Sequence, residues 1–147
     1  MLWQSPSYFR FRNKTIRLEE PAPAQVVGRK LNIDTGAFEP ATRADINDVF
    51  QPGADLDFAE LTEDEFIAET EDARSSYLWG EGPIFEIYGQ IDRVLDTARR
   101  ERRPLTADEV EMLRALRRKT FGMWEQEFAR RAAGEPPSFR YSADGLP

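Results

Sequence analysis

The only side chains in this 147-residue sequence whose types and spacing could support site chemistry are carboxylates. Between Asp45 and Asp72 they crowd together: Asp55 and Asp57 are two apart, and Glu65, Glu69 and Asp72 recur at the spacing of one helical face. Paired carboxylates can hold Mg²⁺ or Ca²⁺ through hard oxygen ligands, or act as acid and base. The companions that such sites need are missing from the sequence. It has no Asp-x-Asp-x-Asp-Gly loop, and Gly80-Glu81-Gly82 is too short, and in the wrong context, to cradle a phosphate. It has no histidine and no cysteine, which removes the usual general base, the usual pH switch, the thiolate nucleophile and the common transition-metal ligands. The reading is a non-catalytic protein with no metal, no cofactor and no small-molecule substrate, in which residues 45–72 form a solvated acidic face.

The basic residues are clustered too. Arg99, Arg100, Arg102 and Arg103 form one group, and Arg117, Arg118 and Lys119 another. Phosphate binding requires such groups to converge on one face, because affinity grows with the number of phosphates neutralised together. Here Glu101, Asp108, Glu109 and Glu111 are interleaved with them and dilute the field. No helix-turn-helix spacing is present, so nucleic acid is not the expected partner.

Net charge changes sign along the chain. Residues 1–43 hold seven Lys/Arg against four Asp/Glu, and residues 44–92 hold one against fourteen. Residues 93–133 reverse the balance with eleven against seven, and residues 134–147 hold one against two. A chain divided in this way can fold its acidic middle onto its own basic segments or offer it to a basic partner.

Aromatic residues are the better candidates for binding. Trp3, near the N-terminus, is a residue that needs a docking place. Phe9 and Phe11 share one face of an alternating segment, and Tyr77 and Trp79 sit with Leu78 in a turn-like apolar cluster. Trp124 belongs to a helical stripe that also serves as core. Aromatic anchors dominate interface energetics, so Trp3, Phe9, Phe11, Tyr77, Trp79 and Trp124 are the expected partner-binding residues.

These residues must be positioned by elements that the periodicity makes visible. Ile84, Ile87, Tyr88, Ile91, Val94, Leu95 and Ala98 fall on one helical stripe that opens at Pro83 and stops before Pro104. A second helix opens with the capping box Thr106-Ala-Asp-Glu109, continues through Val110, Leu113, Leu116, Thr120, Phe121, Trp124 and Phe128, and ends at Gly134. The short connection makes the pair an antiparallel hairpin. Gly89 inside the first helix costs about 1 kcal/mol relative to alanine; a close helix crossing is one explanation, and no structural reason at all is the other.

Upstream, Tyr8–Leu18 alternates as a β-hairpin turning at Asn13-Lys14, with Phe11 facing Ile16, Phe9 facing Leu18, and Arg10, Arg12 and Arg17 on the wet face. Residues 19–25 read as a proline-rich connector. Residues 26–33 and 37–40 read as strands around an Asp34-Thr35-Gly36 turn, the two hairpins forming either a small sheet or an arm. Short helices are expected at Arg43–Phe50, with Ile46, Val49 and Phe50 inward, and from the capping box Thr62–Glu65 to about Arg74. The second of these has little to bury and should be a surface helix or one that binds something.

The fold class is therefore α+β: a C-terminal antiparallel helical hairpin with small N-terminal β-hairpins and two short helices. Its segments are an arm at 1–43, an acidic segment at 44–82, the hairpin at 83–133 and an irregular tail at 134–147, which Phe139 and Tyr141 could pin down. No run of ~18 apolar residues and no secretory h-region occurs, which points to a cytoplasmic protein. The functional expectation is an assembly subunit of a larger complex, such as a virion, that binds other protein subunits or itself. The alternative is a small acidic regulator, an inhibitor or antitoxin-like protein, masking a basic partner surface.

Overall fold

The computed structural model describes residues 5–12, 14–50 and 58–143. Trp3, Asn13, Asp55 and Asp57 lie outside them. The fold is α+β, with a five-stranded antiparallel sheet and a C-terminal helical hairpin. The chain divides into two compact units, Met1–Arg74 and Ser75–Pro147.

In the first unit the strands are β1 (Ser7–Phe11), β2 (Lys14–Ala22), β3 (Gln25–Leu31), β4 (Phe38–Pro40) and β5 (Phe58–Leu61), in the order β4-β3-β2-β1-β5. The N-terminal hairpins thus take the sheet rather than the arm arrangement. The first hairpin pairs Phe9 with Ile16 and Phe11 with Lys14, a register two residues from the expected one. The chain reverses between Phe11 and Lys14, with Arg12 in the left-handed region at φ 60°. A two-residue shift preserves the faces, because side-chain direction alternates with period two. Phe9, Ile16 and Leu18 stay on one side and are buried there with Val49. The proline-rich stretch is not a connector: β2 runs through it to Ala22, with a register irregularity between Glu19 and Ala22.

Two helices cover the sheet, one on each face. Helix α1 (Arg43–Phe50) packs Val49 and Ile46 onto Phe9, Ile16 and Leu18. Gly28 sits beneath the chain entering α1, where a Cβ would meet the Leu18 side chain of β2 at 2.7 Å, Ala41 at 3.0 Å and Ile46 of α1 at 3.4 Å. Phe50 is not inward but 45% exposed. It follows Val49 directly, and neighbouring helical residues diverge by about 100°. Helix α1 starts at a capping pair that the sequence reading missed, since Thr42 Oγ1 accepts from the Asp45 N–H and Asp45 accepts from the Thr42 N–H.

Helix α2 (Glu63–Tyr77) lies on the other face. Phe66 packs against Tyr8 and Phe38, with ring centroids 4.7 and 5.5 Å away. The helix is not the surface element expected from its few apolar residues, because its polar side chains are buried as well. Thr70, Glu71 and Arg74 are all inaccessible.

The second unit contains β6 (Trp79–Gly80), α3 (Pro83–Arg100), α4 (Ala107–Ala132) and β7 (Tyr141–Ser142). The antiparallel helices bury Ile84, Ile87, Tyr88, Ile91, Leu113 and Trp124 together with Leu78. The α4 capping box is formed as expected. Arg103 donates two hydrogen bonds to the Glu109 carboxylate across the connection, through Nη1 at 2.8 Å and Nη2 at 3.2 Å. This pairing, with the Thr106 N–H, holds the Glu109 carboxyl at about 2.

Helix α3 ends before proline acts. The Arg102 and Arg103 N–H groups return to the Arg99 and Ala98 carbonyls, a Schellman turn that puts Arg102 at φ 52°. Gly89 is not at a close crossing, since a Cβ there would meet only the Arg93 guanidinium at 3.6 Å. Val110, expected in the buried stripe, is 42% exposed, because the buried face of α4 is centred on Leu113, Thr120, Trp124 and Glu127.

Candidate functional site

The polar residues that looked available on the sequence are largely engaged within the first unit. Arg10, expected on a wet face, lies under α2 and pairs with Glu69. Tyr8 donates to Glu63 at 3.0 Å, and Thr15 and Thr70 exchange a buried hydroxyl bond of 2.8 Å. Arg74 donates through Nη1 to Glu71 at 2.8 Å and through Nε to the Gly36 carbonyl at 2.8 Å, with its guanidinium 5.4 Å from the centre of the Phe38 ring. Glu65 caps its own helix: its carboxylate accepts the Thr62 N–H while its own N–H donates to Thr62 Oγ1, and the bond from the Thr62 N–H is the main cause that holds its carboxyl below the usual range. Glu65, Glu69 and Asp72 therefore do not converge on a ligand. Among the described residues no group of three or more Asp or Glu side chains is placed to hold a metal ion.

The partner-binding candidates separate into three sets. Phe9 and Trp124 are core residues, and Phe11 is half-buried beside Phe9 and Phe58. Tyr77 and Trp79 stand exposed, Trp79 at 50%. Trp3 lies outside the described residues. The sequence placed Trp124 on a helical stripe that serves as core and Trp79 in a turn-like cluster, but it could not say that the first is wholly buried and the second half-exposed.

Around Trp79 the second unit forms a cleft of about 1190 Å³. Its apolar lining comes from Trp79, Pro83, Ile84, Met123, Phe139 and Tyr141. Polar groups converge from three elements: Glu81 precedes α3, Gln126 and Arg130 lie on α4, and Ser138, Arg140 and Ser142 belong to the tail. The cleft exists because the tail turns back. Gly134, at φ 91°, closes α4 with a second Schellman turn in which the Gly134 and Glu135 N–H groups bond the Arg131 and Arg130 carbonyls. Residues 135–143 then cross the hairpin, and β7 pairs with β6 as Trp79↔Ser142 and Gly80↔Tyr141. Gly80 is required there, since a Cβ would meet the Arg140 carbonyl and the Phe85 ring, each at 2.7 Å.

Beneath the tail lies an aromatic cluster centred on Trp124, which is 0% exposed. Phe139 and Tyr141 meet its ring at centroid distances of 5.4 and 4.9 Å, both edge-on, as the positive edge and negative face of aromatic rings favour. Its indole N–H donates to the Tyr88 hydroxyl at 2.7 Å. The expected pinning of the tail by Phe139 and Tyr141 is present.

Glu127 adds a second attachment that the sequence reading missed. Its carboxylate, 5% exposed, accepts from Arg131 Nε at 2.7 Å and from the Ser138 N–H at 2.9 Å. Burial alone would push this carboxyl up, but the Ser138 N–H and the Arg131 guanidinium outweigh it and hold the group below its ordinary value. Arg131 also donates to the Phe139 carbonyl at 2.9 Å. The Glu127–Arg131 spacing of four was legible as a helix-surface pair, but their tail partners were not.

With this geometry in view, comparison with protein-family models, with curated proteins and with solved structures finds no match. Among the described residues no helix is long and apolar enough to cross a membrane.

Proposed function

We propose that the chain is a non-catalytic binding subunit that receives a segment of another protein in the cleft of its C-terminal unit, with Trp79 as the anchor. The observation that carries this reading is a half-exposed Trp79 at a cleft that combines an apolar and aromatic floor from Pro83, Ile84, Met123, Phe139 and Tyr141 with polar groups at its walls. A large exposed aromatic beside an apolar depression is the usual form of an interface hot spot. The sequence supports the non-catalytic part, since it has neither histidine nor cysteine. Membership of a larger assembly, such as a virion, built in the cytoplasm is the broader form of the same proposal.

The acidic-regulator reading rests on residues 45–72. Glu63, Glu65, Glu69 and Glu71 of that stretch are turned to partners within the chain, which favours the cleft as the binding surface. A random peptide library displayed on phage and selected against the chain tests the choice. Selected peptides should bind in the micromolar range and lose at least ~10-fold, or ~1.4 kcal/mol, with Trp79→Ala. Peptides that are uniformly Lys/Arg-rich, bind Trp79→Ala equally and weaken steeply with salt would replace this reading with the acidic one.

A further inference from the structure

We infer that residues 135–143 are a hinged strap that opens separately from the helical hairpin, with Glu127 as its catch, and that its opening uncovers the aromatic seam of α3 and α4. The inference concerns one wall of the proposed binding cleft, but it stands on the fastening of the strap and not on any partner.

The strap is attached differently from the helices it crosses. Helices α3 and α4 are joined by a continuous apolar seam that includes Ile84, Ile87, Ile91 and Leu113. The backbone pairing of the strap is limited to two residues on each side, Trp79 and Gly80 with Tyr141 and Ser142. A ribbon this short adds little stability of its own. The rest of the hold combines the packing of Phe139 and Tyr141 on the Trp124 ring, the Arg130 bonds to Glu135 and Ser138, and a polar catch beneath them. One buried carboxylate, Glu127, accepts the Ser138 N–H. The same carboxylate holds Arg131, whose guanidinium bonds the Phe139 carbonyl and lies 5.5 and 5.3 Å from the ring centres of Phe139 and Tyr141.

Removing that carboxylate therefore breaks several attachments at once. It leaves the Ser138 N–H without its acceptor and Arg131 without its counter-charge, while no apolar contact between α3 and α4 is touched. The pivot is in place as well. Gly134, at φ 91°, marks the end of α4 in a conformation that other residues adopt only at a cost, and a Cβ there would meet nothing within 4 Å. Once the strap lifts, Phe139 and Tyr141 leave the Trp124 ring and the cleft becomes continuous with the groove over Trp124, Phe85 and Phe128.

Hydrogen exchange read by mass spectrometry on the full chain tests this inference. In Glu127→Ala the amides of 135–143 and of Trp79–Gly80 should exchange at least ~10-fold faster, while those within 84–98 and 110–130 keep their protection. Acrylamide quenching of tryptophan fluorescence should rise in the same variant and fall back in Glu127→Gln, which retains an acceptor for Ser138. Because Glu127→Ala could unfold the unit, the wild-type chain is also followed at low urea. There the strap amides should exchange through an opening that leaves the helices protected. Loss of protection by strap and helices together, in the variant or in the wild type, would overturn the inference, as would a strap that stays protected in Glu127→Ala. Failure of the peptide selection would leave these outcomes unchanged.

Discussion

The two units bury different chemistry. Residues 1–74 hold eight Lys/Arg against fifteen Asp/Glu and so carry the whole net charge of −7, whereas residues 75–147 hold twelve of each and are neutral. The first unit fastens α2 with polar groups: Arg74, buried beside Glu71 and bonded to the Gly36 carbonyl, the Thr15–Thr70 bond and the Arg10–Glu69 bridge. The second packs aromatic rings around a single Trp124. A helix poor in apolar residues can thus be as deeply seated as a rich one if its polar groups find partners. Apolar content alone reports how a helix is held, not whether it is buried. The difference also bears on function, because the polar fastening of α2 uses up carboxylates that would otherwise face a partner, while the aromatic unit leaves Trp79 outside its cluster.

The comparison breaks or sharpens first at Trp124. Trp124→Ala removes the centre of the aromatic cluster and the donor to Tyr88, and should cost about 3–5 kcal/mol. Urea titration followed by residue-resolved amide signals should place that loss in residues 75–143, with residues 5–74 unfolding as before. An equal loss in both would make the two units one cooperative body.

The counterpart in the first unit is the buried ion pair. Glu71→Leu strands the Arg74 guanidinium and should cost about 3–5 kcal/mol. Glu71→Leu combined with Arg74→Met should recover most of this, leaving about 1 kcal/mol for the lost bond to the Gly36 carbonyl. A double variant as unstable as the single one in the same titration would show that α2 needs the charges themselves.

The smallest effect concerns two positions where residue and backbone are mismatched. Gly89 occupies a helix interior with room for a methyl group, and Arg102 occupies a left-handed cap. Gly89→Ala and Arg102→Gly should each raise the stability of the second unit by about 1 kcal/mol. Thermal melting would detect both, and a loss in either would mean that the position carries a contact beyond those described.

What was legible in advance follows local rules. The α3–α4 hairpin, the capping boxes at Thr62 and Thr106 and the strand faces of the first hairpin all depend on residues within a few positions of each other, and helical or strand periodicity carries that information directly. The first hairpin's register was out by two residues because Arg12 takes a left-handed turn conformation that non-glycine residues seldom adopt. The misreading of α2 has a different origin. Glu71 and Arg74 look like an ordinary exposed pair three apart, and only their position over Phe38 and Gly36, more than thirty residues away, buries them.

The same division holds for the candidate site. Its residue types were in view, since Trp79, Phe139 and Tyr141 all stood out as aromatics in loop-like surroundings. By itself the sequence determined the four helices, the faces of the first hairpin and the absence of histidine and cysteine chemistry. Only the tertiary structure decided which tryptophan is core and which is rim, and that the tail returns to wall a cleft. The physical reason is that burial belongs to pairs of distant segments. Trp124 is covered by Phe85 from one direction along the chain and by Phe139 and Tyr141 from the other, and neither contact leaves a trace in the residues beside Trp124.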